Sequence, residues 1–190
     1  MEREFITAAK NGNLACVESF CERRVAMEAT DEEFGRTALI VASANGHLLV
    51  MDCLLDRGAN IESTDEDGDT ALLWAAWNGQ YNVVVKLLER GANIEASNSF
   101  DVTALYWAAA RGHDQIADLL LSNGANVDAT NIQGDTSLDS AKRNCHYKVV
   151  EVLKRHIAIR NEQHVRKCLY DNVRNAHVVA DLIPSIASFL

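Results

Sequence analysis

The sequence predicts an all-α solenoid of short helix pairs joined by β-hairpin fingers, with a helical C-terminal extension. Three observations predict it. A spacing of 33 residues runs through most of the chain, each period opens with threonine before an Ala-rich segment, and an apolar helical stripe follows. Thr37, Thr70, Thr103 and Thr136 keep the spacing, as do Ala42, Ala75, Ala108 and Ala141, and Leu54, Leu87, Leu120 and Leu153. Gly35, Gly68 and Gly134 keep it too, with Asp101 at the remaining place; Gly46, Gly79 and Gly112 form a further series. No unit of this size buries its apolar face alone, so neighbours must stack to build one core.

The units follow in order. The first, more divergent, starts near Phe5, where "AAKNGN" matches "ASANGH" at an offset of 34, which places one extra residue near "EEF" ahead of Gly35. In each later unit a threonine hydroxyl can cap the first helix. Gly46, Gly79 and Gly112 end that helix where a left-handed residue is needed. The second helix carries Val50, Met51, Cys53, Leu54 and Leu55, or Val83, Val84, Leu87 and Leu88, on one stripe. Gly58-Ala59, Gly91-Ala92 and Gly124-Ala125 then release the chain into a polar finger. In the fifth unit Cys145 replaces the turn glycine and Ile157 the glycine of Gly-Ala, so the repeat dissolves. The expected units are 1–33, 34–66, 67–99, 100–132 and a degenerate 133–159, followed by 160–190.

After Gly134 there is no glycine, and Tyr147 to about Asn175 reads as one or two helices. Val165, Cys168, Leu169 and Val173 keep a helical spacing, and Arg155, Arg160, Arg166, Lys167 and Arg174 make this the basic end. The expectation is a cap over the last repeat, as solenoids require, with Leu182, Ile186, Phe189 and Leu190 packed onto it.

Composition excludes several function classes. The net charge of −9 argues against general nucleic-acid affinity and favours a basic partner. No apolar run approaches the ~18 residues of a membrane span, and residues 1–20 lack a basic segment followed by an apolar one. Five cysteines without a CxxC pair read as reduced thiols, so a cytoplasmic or nuclear location is expected. The chain has no GxxxxGK[ST], GxGxxG, HExxH or GxSxG, so no catalytic residue and no cofactor is expected. His164 and Cys168 are four apart on an expected helix, but two ligands do not make a metal site.

These residues resemble the ankyrin repeat, D-x-x-G-x-T-P-L-H-x-A-A-x-x-G-H followed by an apolar helix ending L-L-x-x-G-A, over about residues 5–158. "TPLH" stands here as "TALI", "TALL", "TALY" and "TSLD", which removes the helix-starting proline and the family's histidine. The resemblance implies a non-catalytic module whose fingers and first helices line a concave groove that binds a peptide or protein. His47, His113 and His146 then recur because the family has histidine after the turn glycine. Asparagine hydroxylation, known for many such hairpins, is not expected where Glu62, Glu95 and Asp128 stand.

Carried onto this chain, the groove offers Trp74, Trp77 and Trp107 as an aromatic platform and Phe34 and Phe100 as finger contacts. Glu66, Asp67 and Asp69 supply charge, Asn78 joins the surface, and Arg111 holds an acidic group or stacks on Trp107. Trp74 and Trp107 share one repeat position, so core filling and groove wall both remain open for them. Two indoles would overfill a layer built from alanine. The "WAA" arrangement is also similar to ankyrin domains of certain histone methyltransferases, which implies a methyl-lysine cage as an alternative. A third reading is an adaptor: "LIPSIASFL" resembles the ends of SOCS-box proteins and the starts of F-boxes, which implies that residues 176–190 recruit a ubiquitin ligase or other machinery.

Overall fold

A computed structural model describes residues 1–23 and 25–187, with side chains described as far as Cys168 and at Tyr170. The chain divides into two compact units, Met1–Leu153 and Lys154–Leu190. The first holds the repeats. Its helices pair as α1 (Glu2–Lys10) with α2 (Leu14–Glu22), α3 (Ala38–Ala44) with α4 (Leu48–Asp56), and α5 (Ala71–Trp77) with α6 (Tyr81–Glu89). The pair α7 (Ala104–Arg111) and α8 (Asp114–Ser122) follows, then α9 (Ser137–Arg143). First helices stack in the row α1, α3, α5, α7, α9, and second helices in the row α2, α4, α6, α8.

Local chemistry sets each boundary. The Thr37, Thr70, Thr103 and Thr136 hydroxyls accept from the amides of Ile40, Leu73, Tyr106 and Asp139. These caps satisfy amides that have no partner inside the helix. At Thr136 the Asp139 carboxylate answers with bonds from the Thr136 amide and hydroxyl, closing a capping box. The first-helix row is close-packed because it is built from alanine: Ala42, Ala75, Ala108 and Ala141 are fully buried. Leu54, Leu87, Leu120 and Leu153 are fully buried as well. Where glycine is missing from the left-handed turns, Asp101 (φ 56°) and Cys145 (φ 58°) adopt that conformation themselves.

A polar ladder ties the repeats together. His47, His113 and His146 each donate from Nε2 to a carbonyl one repeat earlier, on Lys10, Trp77 and Ala110, at 2.8–3.0 Å. Gln80 fills the same register and donates to Ala44 at 3.2 Å. The His113 ring lies so close under Gly79 that a Cβ there would stand 2.6 Å from it. Glu62 and Glu95 accept from the amides of Asn93 and Asn126 in the following repeat. Arg90 spans Asp52 and Asp56 across the outer row.

The fingers are hairpins held by single antiparallel bridges: Thr30 with Thr37, Thr64 with Thr70, Ser97 with Thr103 and Thr130 with Thr136. The first of these spans one residue more than the others, where the extra residue near "EEF" is expected.

The last helix, α10, runs Tyr147–Ala187 as one element, where one or two helices to about Asn175 are expected. It contains no glycine, and its single proline, Pro184, falls near its end. Val149 and Leu153 are buried within the repeat unit. In the second unit Ile159, Val165, Cys168 and Tyr170 are exposed. Apolar contacts of Leu182, Ile186, Phe189 and Leu190, and a recruiting role of 176–190, concern side chains outside the described residues. No described helix is long and apolar enough to cross a membrane. Among the described residues no three potential ligands cluster for a metal, although Cys168 Sγ lies 3.6 Å from His164 Nε2.

Candidate partner-binding site

One Asx residue organises each finger. Asp31 Oδ1 accepts from the amides of Phe34 and Arg36, and Asp65 Oδ1 from those of Asp67 and Asp69. Asn98 Oδ1 accepts from Phe100 and Val102, and Asn131 Oδ1 from Gln133 and Asp135. A short side-chain acceptor that turns back on its own backbone is the chemistry of an Asx turn. The second polar atom of each residue is left to reach elsewhere, and there the fingers differ. Asp31 Oδ2 takes the Arg36 guanidinium at 2.8 Å. Asp65 Oδ2 takes the indole N–H of Trp74 at 2.6 Å. Asn98 Nδ2 donates back to both carboxylate oxygens of Asp69, at 3.0 and 3.2 Å.

Asp69 in turn accepts the indole N–H of Trp107 from the next repeat, at 3.2 Å. Both indoles are therefore pinned at their polar edge to a finger carboxylate, and their rings stand half-buried between the first helices and the fingers. Trp77, one turn beyond Trp74, meets Trp107 edge to face with centroids 4.1 Å apart. Together with Leu73, Phe100, Asp67, Asp69 and Asn98 the three rings wall a cavity of about 240 Å³. All three tryptophans of the chain are thus in one pocket, between the third and fourth repeats.

Charge around the pocket is uneven. Asp69 is only 9% exposed. Burial pushes its carboxyl above the ordinary aspartate value, against the Asn98 and Trp107 bonds, and neighbouring Asp65 and Asp67 push the same way as burial. Asp31 is the opposite case: burial opposes its ionisation, but the Arg36 and Phe34 amides and the Arg36 guanidinium hold its carboxyl below the ordinary value. Asp67 is exposed, and among the described residues its carboxylate makes no hydrogen bond or ion pair.

A family model described as "Ankyrin repeats (3 copies)" matches residues 5–98, and one described as "Ankyrin repeats (many copies)" matches residues 105–153. The chain belongs to the ankyrin-repeat family. Ankyrin repeats are protein–protein interaction modules, and the family is typically non-catalytic.

Within this ankyrin array the expected surface residues fall into three groups. Trp74, Trp77, Trp107, Phe100, Asp67 and Asp69 come together at the pocket. Phe34 lies one finger away, exposed, with the Arg36 guanidinium 4.5 Å over its ring and 5.3 Å from that of Trp74. Glu66 and Asn78 are exposed outside the pocket, and Asn78 Nδ2 donates to the Trp74 carbonyl, closing α5. Two expectations need correction. Arg111 stacks on Trp77, 4.7 Å from its ring, rather than on Trp107, because Trp77 lies between the two residues. Asp69 is a buried, hydrogen-bonded acid rather than a free surface charge, because its carboxylate serves Asn98 and Trp107. Sequence reasoning passed over Asp65 and Asn98 as individual residues. The signal was available: Asp65, Asn98 and Asn131 keep the 33-residue spacing, each just before a finger turn.

Proposed function

We propose that this ankyrin array is a non-catalytic recognition module that docks a basic peptide or protein segment with an apolar anchor against repeats two to four. The observation that carries the reading is the pocket walled by all three tryptophans, with Phe100 on its finger side. Rigid, half-buried aromatic side chains held by hydrogen bonds suit recognition, because they offer contact area at little cost in lost rotamer freedom. Phe34, Phe100 and Ile132, all exposed, extend the apolar surface on the first, third and fourth of the four bridged fingers. Glu66 and Asp67 place carboxylates, unpaired among the described residues, on the finger between those of Phe34 and Phe100, in a chain of net charge −9, and this favours a ligand carrying Lys or Arg.

Selection of displayed random peptides on the full chain, followed by affinity measurement on Trp77→Ala and Phe100→Ala, tests this reading. Loss of a hot-spot aromatic costs at least about 2 kcal/mol, so selected peptides should bind Trp77→Ala roughly 30-fold more weakly. Selected peptides that bind both variants as they bind the wild type would place recognition elsewhere.

A further inference from the structure

The aromatic pocket also indicates which side chain it receives. Resting on the reading that this pocket is part of the docking surface, we propose that it seats one lysine of the partner. The ammonium donates to Asp69 beside Asp67, and the aliphatic stem lies along Trp74, Trp77, Trp107 and Phe100.

Three features of the pocket support a cation with an apolar stem. Its walls are indole and phenyl rings, whose faces attract a cation and whose apolar area takes methylene groups out of water. Its finger side carries two carboxylates, one exposed and without a partner among the described residues, the other buried. The buried one is incompletely used. Asp69 Oδ1 accepts both Asn98 Nδ2 and Trp107 Nε1, whereas Oδ2 receives only the longer, 3.2 Å branch of the same Asn98 group. A carboxylate can accept about four hydrogen bonds, so Oδ2 keeps acceptor capacity where water is scarce. The upward push on the Asp69 carboxyl has the same origin, a negative charge poorly solvated and close to others.

The same geometry discriminates between cations. A guanidinium binds best through two parallel N–H groups on both carboxylate oxygens, and Oδ1 of Asp69 is already doubly occupied. An ammonium is a point donor and needs one oxygen. A quaternary ammonium has no N–H and leaves Oδ2 unsatisfied. The Arg111 and Arg36 guanidiniums lie 4.7 and 5.3 Å from the Trp77 and Trp74 ring centroids rather than at Asp69.

The test uses the full chain, labelled with nitrogen-15, and small probes: n-butylammonium, n-butylguanidinium and tetramethylammonium chlorides, with sodium chloride at matched ionic strength. Three indole N–H signals and the Asn98 side-chain amide report on the pocket. n-Butylammonium should shift the Trp107 indole and the Asn98 amide saturably, at lower concentration than either other cation. Asp69→Asn should weaken it about tenfold, the value of one hydrogen bond to a charged group. Asp67→Asn, on an exposed carboxylate, should weaken it by a smaller factor and guards against misfolding of the first variant. Tetramethylammonium or n-butylguanidinium binding as tightly, an unchanged response in both variants, or shifts no larger than those of sodium chloride would each overturn the lysine seat. Peptide selection reads the docking surface separately. Peptides sensitive to Trp77→Ala but lacking a preferred lysine would leave the surface standing and overturn the seat. Saturable n-butylammonium binding, with selected peptides insensitive to Trp77→Ala, would uphold the seat and overturn the docking surface.

Discussion

Val41, Trp74, Trp107 and Ser140 occupy one register position in four successive first helices, and they have two different fates. Val41 and Ser140 are buried, each 2% exposed, whereas both tryptophans stand half-buried at the finger side. The backbone follows one plan in all four: a threonine cap, a helix of seven or eight residues (about two turns), then a turn residue. The side chain at this position is free to differ because it does not have to enter the alanine layer. An indole here runs outward along the finger, and its N–H finds Asp65 or Asp69. A solenoid can thus specialise two of its repeats without repacking the rest, since each unit contacts only its neighbours.

The largest break in this comparison is expected at the finger that holds Trp74. Asp65→Ala removes the acceptor of two amides and one indole N–H in a largely buried site. Unsatisfied buried donors cost about 1–3 kcal/mol each, so a loss near 3 kcal/mol in urea unfolding is expected. A loss under about 1 kcal/mol would mean that water serves these donors.

The next prediction separates burial from recognition. Val41→Ala should lower stability by about 1 kcal/mol through a small cavity, and leave binding of a selected peptide unchanged. Trp77→Ala should do the reverse, with the weaker binding given above and little change in the urea midpoint, because the ring is half-exposed. Parallel losses in both properties for both variants would remove the distinction between the middle repeats and their neighbours.

Two finger carboxylates should respond to pH with opposite signs. The folded state holds the Asp31 carboxyl below its unfolded value, so its contribution is present above about pH 4 and lost as pH falls through the folded value. Asp31→Asn is therefore less stable than the wild type at pH 7, and the gap closes in acid. Asp69 is held above its unfolded value, so its ionisation costs stability as pH rises from about 4 through the raised value. Asp69→Asn should move in the variant's favour over that rise. Urea titrations of both variants between pH 3 and 7 check the signs, and gaps that move in the same direction would contradict them.

The smallest effect concerns the fifth repeat. Ser137 takes the place of Ala38, Ala71 and Ala104, and its hydroxyl is buried without a partner among the described residues. Ser137→Ala should raise stability by about 0.5–1 kcal/mol, because it removes an unpaired polar group. A thermal melt would show it, and a lower melting temperature would mean that the hydroxyl has a water partner.

What was legible in the sequence was whatever repeats. The 33-residue spacing carried the helix pairs, the threonine caps and the turn residues, because each needs the same residue type at the same place. It also located the extra finger residue near "EEF". What was not legible depends on pairs of residues that do not repeat. The bond from Trp74 to Asp65 is local, but that from Trp107 to Asp69 crosses 38 residues, and no spacing distinguishes the two. Asp69 reads as a surface acid in a run of acids, and only the placement of Asn98 and Trp107 beside it makes it a buried one. Arg111 presents the same difficulty, since the choice between two indoles rests on side-chain geometry. The single helix from Tyr147 to Ala187 runs past the expected end near Asn175, and no repeat spacing in this part of the sequence marks where it stops.

Because all three tryptophans line one pocket, the chain carries its own reporter, and intrinsic fluorescence tests the central claim most directly. Titration with a selected basic peptide should shift the tryptophan emission saturably with one-to-one stoichiometry, and Trp77→Ala should move the saturation to roughly 30-fold higher peptide concentration. Tight peptide binding by calorimetry with an unchanged emission spectrum would contradict the claim that the pocket at the centre of repeats two to four is the docking surface.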